Sequence, residues 1–418
     1  MLYIKQTNVN CFLRNCFNLY RQVFYRARIV ACLFFAGCIA GYVATKKKET
    51  GIFIKQIIIT DMNMRVLVGM SGGIDSTAVC KLLLEQGYEV IGFTFITCDA
   101  AESSAHEAAQ LAHRLGIEHH IADIRKEFHA SVVMPFVQAY LSGTTPNPCV
   151  NCNPQVKFRL LQEWADKLGC DKIATGHYVK KYFSNGKYYL VSGDDECKDQ
   201  SYFLWRLTQS QLQRVIFPLG EWEKCDVRSY LKNNNLEKTA DSDESMEICF
   251  IQGDYRDFIM KNLPDGNEPM REGSFVDSEG RVLGRHKGCS LYTIGQRKGL
   301  GVALGYPAYV IKINPEKNTV MLGREEQLKT MHMLIDAPMW VDTMPMENLS
   351  VRIRYRSKPL PCEPPRLLPD GRYLVRFMQQ ASAVTPGQSA VFYVENKVVG
   401  GAVISSQRGI NQWITTNE

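Results

Sequence analysis

No acidic residue precedes Glu49 in this chain of 418 residues, although Arg and Lys are frequent from the start. Residues 1–61 hold nine Lys or Arg against Glu49 and Asp61, a net +7, which leaves residues 62–418 at −1 of the whole-chain +6. Global charge therefore carries no argument for nucleic-acid binding. A long apolar run is also missing: the stretch 29–44, followed by Lys46-Lys47-Lys48, falls short of the about 20 residues that a membrane span needs. A weak anchor, a signal-like segment and an organelle transit peptide all fit such a stretch. The expectation is instead that Met62 or Met64 is the natural start and that 1–61 are an over-extended reading frame, since Met64-Arg65-Val66-Leu67-Val68 opens a buried strand directly. Cytoplasmic location and no stable membrane partner follow from that reading.

Fourteen cysteines occur without a clean cleavable signal, which argues against a secreted disulfide framework and for a reducing compartment. Most, such as Cys80 and Cys170, are expected as core hydrophobes. No second C-x-x-C accompanies Cys149-Val150-Asn151-Cys152, so a four-cysteine zinc ribbon would need scattered partners. Internal repeats and low-complexity tracts are absent. A hydrophobic content of 45% and a charged content of 22% describe an ordinary soluble chain of two or three domains.

From Met64 short Val/Ile-rich runs alternate with helix-period stretches: 65–68, 77–86, 89–95, 103–115, 119–123, 128–141, 156–168 and 172–175. This pattern predicts βαβ units and a doubly wound parallel sheet, an α/β fold. Beyond about residue 240 turns such as Pro264-Asp265-Gly266 and Ser278-Glu279-Gly280 separate short strands. Strands at 350–355, 371–377, 389–394 and 397–404 predict a small C-terminal barrel or sandwich. The expected divisions are 1–61, a catalytic domain 62–240, a central domain 241–330 and a β-barrel domain 335–412.

Ser71-Gly72-Gly73-Ile74-Asp75-Ser76 lies between the first strand and the first helix. A strand, a glycine turn and a helix start gather unpaired N–H groups around one point, which suits an anion. The lysine of G-x-x-x-x-G-K-[ST] is absent, which argues against a γ-phosphate hydrolase. The residues resemble the PP-loop, S-G-G-x-D-S, of the N-type ATP pyrophosphatases, which cleave ATP between the α and β phosphates. The plain structural reading is a glycine turn capped by serine.

Cysteines supply the other chemistry. The pair Cys149 and Cys152 reads as half a zinc site, an iron–sulfur pair, a redox dithiol or a nucleophile. Cys152 is expected just before a helix at 154–168, whose positive end would favour its thiolate. In Glu247-Ile248-Cys249-Phe250-Ile251, after the acidic run Asp241-Ser242-Asp243-Glu244-Ser245, the cysteine alone reads as a buried strand residue. In Arg352-Ile353-Arg354-Tyr355-Arg356, strand alternation predicts three arginines on one face, suited equally to phosphate contacts and to the charged protection of an exposed strand.

Together the loop, Thr145-Pro146-Asn147-Pro148-Cys149-Val150-Asn151-Cys152-Asn153, Ala174-Thr175-Gly176-His177-Tyr178, Lys198-Asp199-Gln200-Ser201-Tyr202, the Cys249 segment and Tyr292-Thr293-Ile294-Gly295-Gln296-Arg297-Lys298-Gly299-Leu300-Gly301 resemble the tRNA-specific 2-thiouridylases of the MnmA type. The resemblance runs in order from about Met64 to near residue 410. It implies adenylation of the C2 oxygen of the wobble uridine in tRNA for Lys, Glu or Gln, then sulfur transfer. ATP with Mg2+ is the implied co-substrate, with no resident metal or permanently bound cofactor. The implied partners are tRNA and a persulfide relay protein.

By the same resemblance Cys249 carries the persulfide and Cys152 is the nucleophile, with a Cys152–Cys249 disulfide as an alternate state. ATP falls to Gly69, Met70, Ser71, Gly72, Gly73, Ile74, Asp75, Ser76, Phe95 and Gly176. The target base falls to Asn147, Pro148 and Cys149, and tRNA to Lys198, Asp199, Gln200, Arg354 and Tyr355. Many members carry Asp where Cys149 stands, so a general base is not assigned. Two other classes stay open. One is another adenylating PP-loop ligase, in which the thiols are idle; the other is a tRNA-binding iron–sulfur protein.

Overall fold

Alternation along β1 (Arg65–Gly69) sets the layering of the first domain. Val66 and Val68 enter one core with Ala78 and Leu83 of α1 (Ile74–Glu85) and Ala108 and Leu111 of α2 (Ala101–Leu115). Leu67 enters the opposite core with Phe158, Leu161 and Ala165 of the helix Phe158–Lys167. Helices thus cover both faces, as continuous apolar strands require. In this computed structural model residues 64–236, 239, 248–263 and 271–415 are described, and all lie in one compact unit. The expectations for 1–61, for the acidic run with Glu247, and for the turn Pro264-Asp265-Gly266 lie outside the described residues.

With β2 (Glu89–Ile96), β3 (Glu118–Asp123), β4 (Lys172–Ala174) and a short last strand, Val215–Ile216, the parallel sheet runs β3, β2, β1, β4, then Val215–Ile216. The chain leaves β1 toward one edge and returns to β4 on the other side. The strand order reverses between β1 and β4, and ligands of such sheets bind beyond the carboxyl ends there. The glycine loop follows β1, and Thr175-Gly176-His177 follows β4. The expected doubly wound fold is what the chain adopts.

A hairpin, Val179–Ser184 with Lys187–Ser192, turns on Asn185 and Gly186, both at positive φ (51° and 76°), the preferred Asn-Gly geometry. Its second strand meets Lys397–Val403, so the hairpin extends the C-terminal antiparallel sheet. The central domain is a four-stranded sheet in the order Tyr309–Asn314, Thr319–Gly323, Gly273–Val276, Val282–His286. The C-terminal strands enclose a core of Val351, Val375, Phe377, Phe392 and Ile404.

Two expected elements differ. The helix predicted at 128–141 is Arg125–Phe128, a π turn His129–Val133, and Met134–Leu141. The one predicted from residue 154 begins at Pro148–Cys152 and passes through a second π turn, Asn153–Lys157. Pro135 and Pro154 stand in or beside these turns; proline lacks an N–H and crowds the preceding turn, and the wider π geometry accommodates it. The strand predicted at 350–355 stops at Arg352. Residues 354–357 form a turn closed by Ser357 N donating to Arg354 O at 3.1 Å.

Candidate nucleotide and thiol site

Gly73 is the N-cap of α1, and no side chain caps it. The first N–H groups of the helix are therefore left to an anion, which removes the plain serine-cap reading. Ser76 Oγ instead accepts from Ser71 N at 3.2 Å and donates to Gly73 O at 3.3 Å, bracing the loop from within. Gly72 has φ +75°, and a Cβ there would fall 2.9 Å from the carbonyl oxygen of Ser104. Met70 is anchored by its N–H to Phe93 O at 2.7 Å. Phe95 at the end of β2 is half-buried, its ring 5.0 Å from Phe93.

Asp75 projects from the first turn of α1. Its Oδ1 accepts from Tyr178 OH and from Lys224 Nζ, each at 2.7 Å. The Lys224 side chain is 11% exposed against 34% for Asp75. Lys224 was not anticipated from the sequence, because it lies 149 residues away and belongs to no spaced motif. Gly176 closes the other side: a Cβ there would sit 2.8 Å from Asp75 Cβ and 3.2 Å from Ser76 N. Gly176→Ala must displace the helix start and is expected to weaken ATP binding about tenfold or more. Equilibrium dialysis with labelled ATP reads the effect, and wild-type affinity would remove Gly176 from the site.

His177 is a structural histidine. Thr175 Oγ1 lies 2.8 Å from its Nδ1, Phe158 and Phe217 flank it at 5.8 and 6.3 Å, and burial followed by the charge of Lys157 holds its pKa well below the ordinary value.

The thiols form a second group. Cys152 and Cys98 pack against the cluster of Val156, Leu160, Phe250 and Ile251, and Ile248 joins them. Phe250, buried against Phe128 and Phe136 at 5.5 Å each, anchors the turn that presents Cys249. Cys152 thereby lies in the same cluster as Ile248 and Phe250, the two neighbours of Cys249. Cys249 is exposed, not the buried strand residue that its local sequence suggested.

Burial pushes the Cys152 thiol up to about 12 and the Cys149 thiol up to about 11, and the protein packed around the sulfur of Cys249 raises that thiol too, although the residue as a whole is exposed. Lys157 opposes the rise at all three. The expectation of a thiolate favoured by a following helix start is thus corrected. Cys152 ends the helix Pro148–Cys152 and runs straight into the π turn, so it faces no free helix N-terminus, and desolvation dominates. A Cys149 thiol near 11 stays protonated at neutral pH and is a poor general base.

Asn147 is the N-cap of Pro148–Cys152, with Pro148 in the first turn. Thr145 ties this segment to the C-terminal domain: its N–H donates to Pro386 O at 2.9 Å and its carbonyl accepts from Gln388 Nε2 at 2.8 Å. Lys198 and Gln200 are half-buried, but Asp199 is 3% exposed. Its carboxylate accepts from Gly193 N and Ser201 N at 3.1 Å, Ser201 Oγ at 2.9 Å and Arg352 Nη1 at 2.9 Å. That carboxylate is committed inside the protein.

The three-arginine face does not exist, because the strand ends at Arg352. Arg354 Nη2 donates to Ile294 O, Ala383 O and Thr385 Oγ1 at 2.6–3.1 Å, stitching the turn to neighbouring loops. Tyr355 stacks 4.3 Å from Phe203.

Among the described residues, the group close enough to share one ion is Glu223, Cys225 and Asp226, which includes none of the thiols named above. No helix among them is long and apolar enough to cross a membrane.

Three family models match in succession: a tRNA methyl transferase HUP domain at 64–253, a tRNA methyl transferase PRC-barrel domain at 256–324, and an aminomethyltransferase beta-barrel domain at 330–404. The tRNA-specific 2-thiouridylase MnmA 3 of Bacteroides fragilis is 56% identical over 357 residues, 85% of this chain and 98% of that protein. The protein of the same description from Phocaeicola vulgatus is 52% identical over 373 residues, covering 86% and 99%. The tRNA-specific 2-thiouridylase MnmA of Cytophaga hutchinsonii is 43% identical over 366 residues, covering 82% and 97%.

Proposed function

The chain belongs to the tRNA-specific 2-thiouridylase family of the MnmA type, and from that membership we propose how its residues replace the C2 oxygen of a wobble uridine by sulfur. ATP with Mg2+ binds at Gly69, Met70, Ser71, Gly72, Gly73, Ile74, Asp75, Ser76 and Gly176, with Phe95 beside the adenine. The uridine C2 oxygen attacks the α-phosphorus, pyrophosphate leaves, and AMP is now on the oxygen. A persulfide on Cys249, loaded by a relay protein, attacks C2 through its terminal sulfur and AMP departs. The Cys152 thiolate then attacks Cys249 Sγ; the S–S bond to the base breaks, its sulfur stays on C2, and a Cys152–Cys249 disulfide forms. The two thiols have lost two electrons, which a cellular thiol reductant restores.

One observation supports the sulfur half: Cys152 packs into the same cluster as Ile248 and Phe250, the two neighbours of Cys249, although the two cysteines lie far apart in sequence. Asn147, Pro148 and Cys149 are proposed at the target base, and Lys198, Gln200 and Tyr355 at the tRNA, with Asp199 and Arg354 holding those segments in shape. A preference among the tRNAs for Lys, Glu and Gln, and a cytoplasmic workplace, complete the proposal.

The matching domain descriptions name methyl transfer instead, and one assay separates the two. Full-length protein, unmodified tRNA, ATP, Mg2+ and a persulfide donor should yield 2-thiouridine, with AMP and pyrophosphate released in step. A methylated nucleoside without sulfur, or ADP as the product, would overturn the proposal.

A further inference from the structure

Thr145 leads into the helix Pro148–Cys152 through Pro146 and Asn147, and its polar partners all come from outside the first domain. Besides its bonds with Pro386 O and Gln388 Nε2, its Oγ1 donates to Thr293 Oγ1 of the central domain at 3.3 Å. Thr144 before it closes off the preceding helix, with its N and Oγ1 both donating to Ala139 O, at 3.0 and 2.9 Å. The far end of the Pro148–Cys152 helix is held within the first domain: Asn153, 3% exposed, donates from Nδ2 to Phe203 O at 3.2 Å, and Arg206 Nη1 donates to Asn151 Oδ1. The near end, with Asn147, Pro148 and Cys149, is set by what grips Thr145.

Proline makes that grip stiff. Pro146 and Pro148 fix their own φ and bar the residue before them from the helical region, so Thr145 and Asn147 keep little torsional freedom. Asn147 is accordingly extended, with φ −110° and ψ 96°. The turn on the other side is as firm: Gly387, at φ +91°, donates from N to Ile404 O at 2.9 Å, and Ile404 N donates to Gln388 O at 2.8 Å. A Cβ on Gly387 would fall 3.0 Å from Thr145 O, so the two backbones pack as closely as glycine allows beside the crossing Gln388 amide. Backbone bonds thus hold the turn without the Gln388 side chain, which serves the Thr145 carbonyl.

We propose, on the base-contact reading above, that Gln388 is a positioning residue for thiolation. Its amide holds the Thr145 carbonyl, and through the Thr-Pro-Asn-Pro segment it sets where Asn147 and Cys149 meet the target base. The C-terminal domain thereby completes a site of the first domain across 243 residues of chain.

The test is single-turnover thiolation by the full chain over a range of tRNA concentrations, with hydrogen exchange of the peptide 141–153 measured on the same preparations. Gln388→Glu keeps the shape and removes the donor, and Gln388→Met removes every polar side-chain atom. In both, the rate at saturating tRNA should fall about tenfold or more, with the half-saturating tRNA concentration within about twofold of wild type. Exchange over 141–153 should quicken about tenfold, while 389–404 keeps wild-type protection and marks the sheet as folded. A saturating rate within about twofold of wild type, a loss confined to the half-saturating concentration, or unchanged exchange over 141–153 would overturn the proposal. Exchange needs neither ATP nor tRNA, so the two failures separate: quickened exchange with no 2-thiouridine from wild type would sink the functional reading and leave the hold on Thr145 standing.

Discussion

Cys249→Ser is expected to lower 2-thiouridine formation by about three orders of magnitude or more, while tRNA-dependent release of AMP and pyrophosphate continues. The split follows from the chemistry of the two steps. An alcohol cannot carry a sulfane sulfur, so loading is lost, whereas adenylation at the glycine loop uses none of the Cys249 atoms. Serine also preserves shape: the exposed turn is held by Phe250 against Phe128, Phe136 and Phe258 at 5.3–5.5 Å, contacts that the substitution leaves alone. Without a nucleophile the adenylated base hydrolyses back, so ATP is consumed in a futile cycle. Pyrophosphate release and nucleoside composition, measured on one reaction, check both halves. Thiolation at the wild-type rate by the serine variant would remove Cys249 from the persulfide role.

The sheet was legible because β1, β2 and β4 are short continuous apolar runs and the intervening helices have their own period; both signals are local. The loop was legible for the same reason, since its strand, glycines and helix start are contiguous. The environment of Cys152 was not. Its thiol is governed by burial against Phe250 and by Lys157, and a helix predicted from residue 154 concealed that the real helix begins at Pro148 and widens at Pro154. Local alternation also misled at Arg354, because a strand's end is set by its partner: Arg352 is the last residue paired to Ser389–Val394. Lys224 was invisible for a third reason. Its contact with Asp75 exists only once the helix Lys224–Asn233 packs on α1 through Val227 and Leu231.

Asp75→Asn is expected to lower tRNA-dependent pyrophosphate release by about a thousandfold while leaving sulfur loading on Cys249 unchanged. A carboxylate beside the proposed phosphate site repels the ligand unless a cation stands between them, and two cations qualify: the Mg2+ proposed to accompany ATP, and Lys224 Nζ at 2.7 Å. Asparagine keeps the volume and can still accept from Tyr178 OH, so the loop retains its shape while the charge is lost. The pair is partly exposed, which limits the cost in stability to about 1 kcal/mol, a shift of only a few degrees in Tm. Activity loss far beyond that cannot then be unfolding. Labelled sulfur from a persulfide donor should still reach Cys249 in this variant, the mirror image of Cys249→Ser. Mixing the two variants should restore little product, because in the proposed mechanism the persulfide attacks the adenylated base while it is still held by the same chain. Wild-type pyrophosphate release by Asp75→Asn would place nucleotide activation elsewhere in the chain.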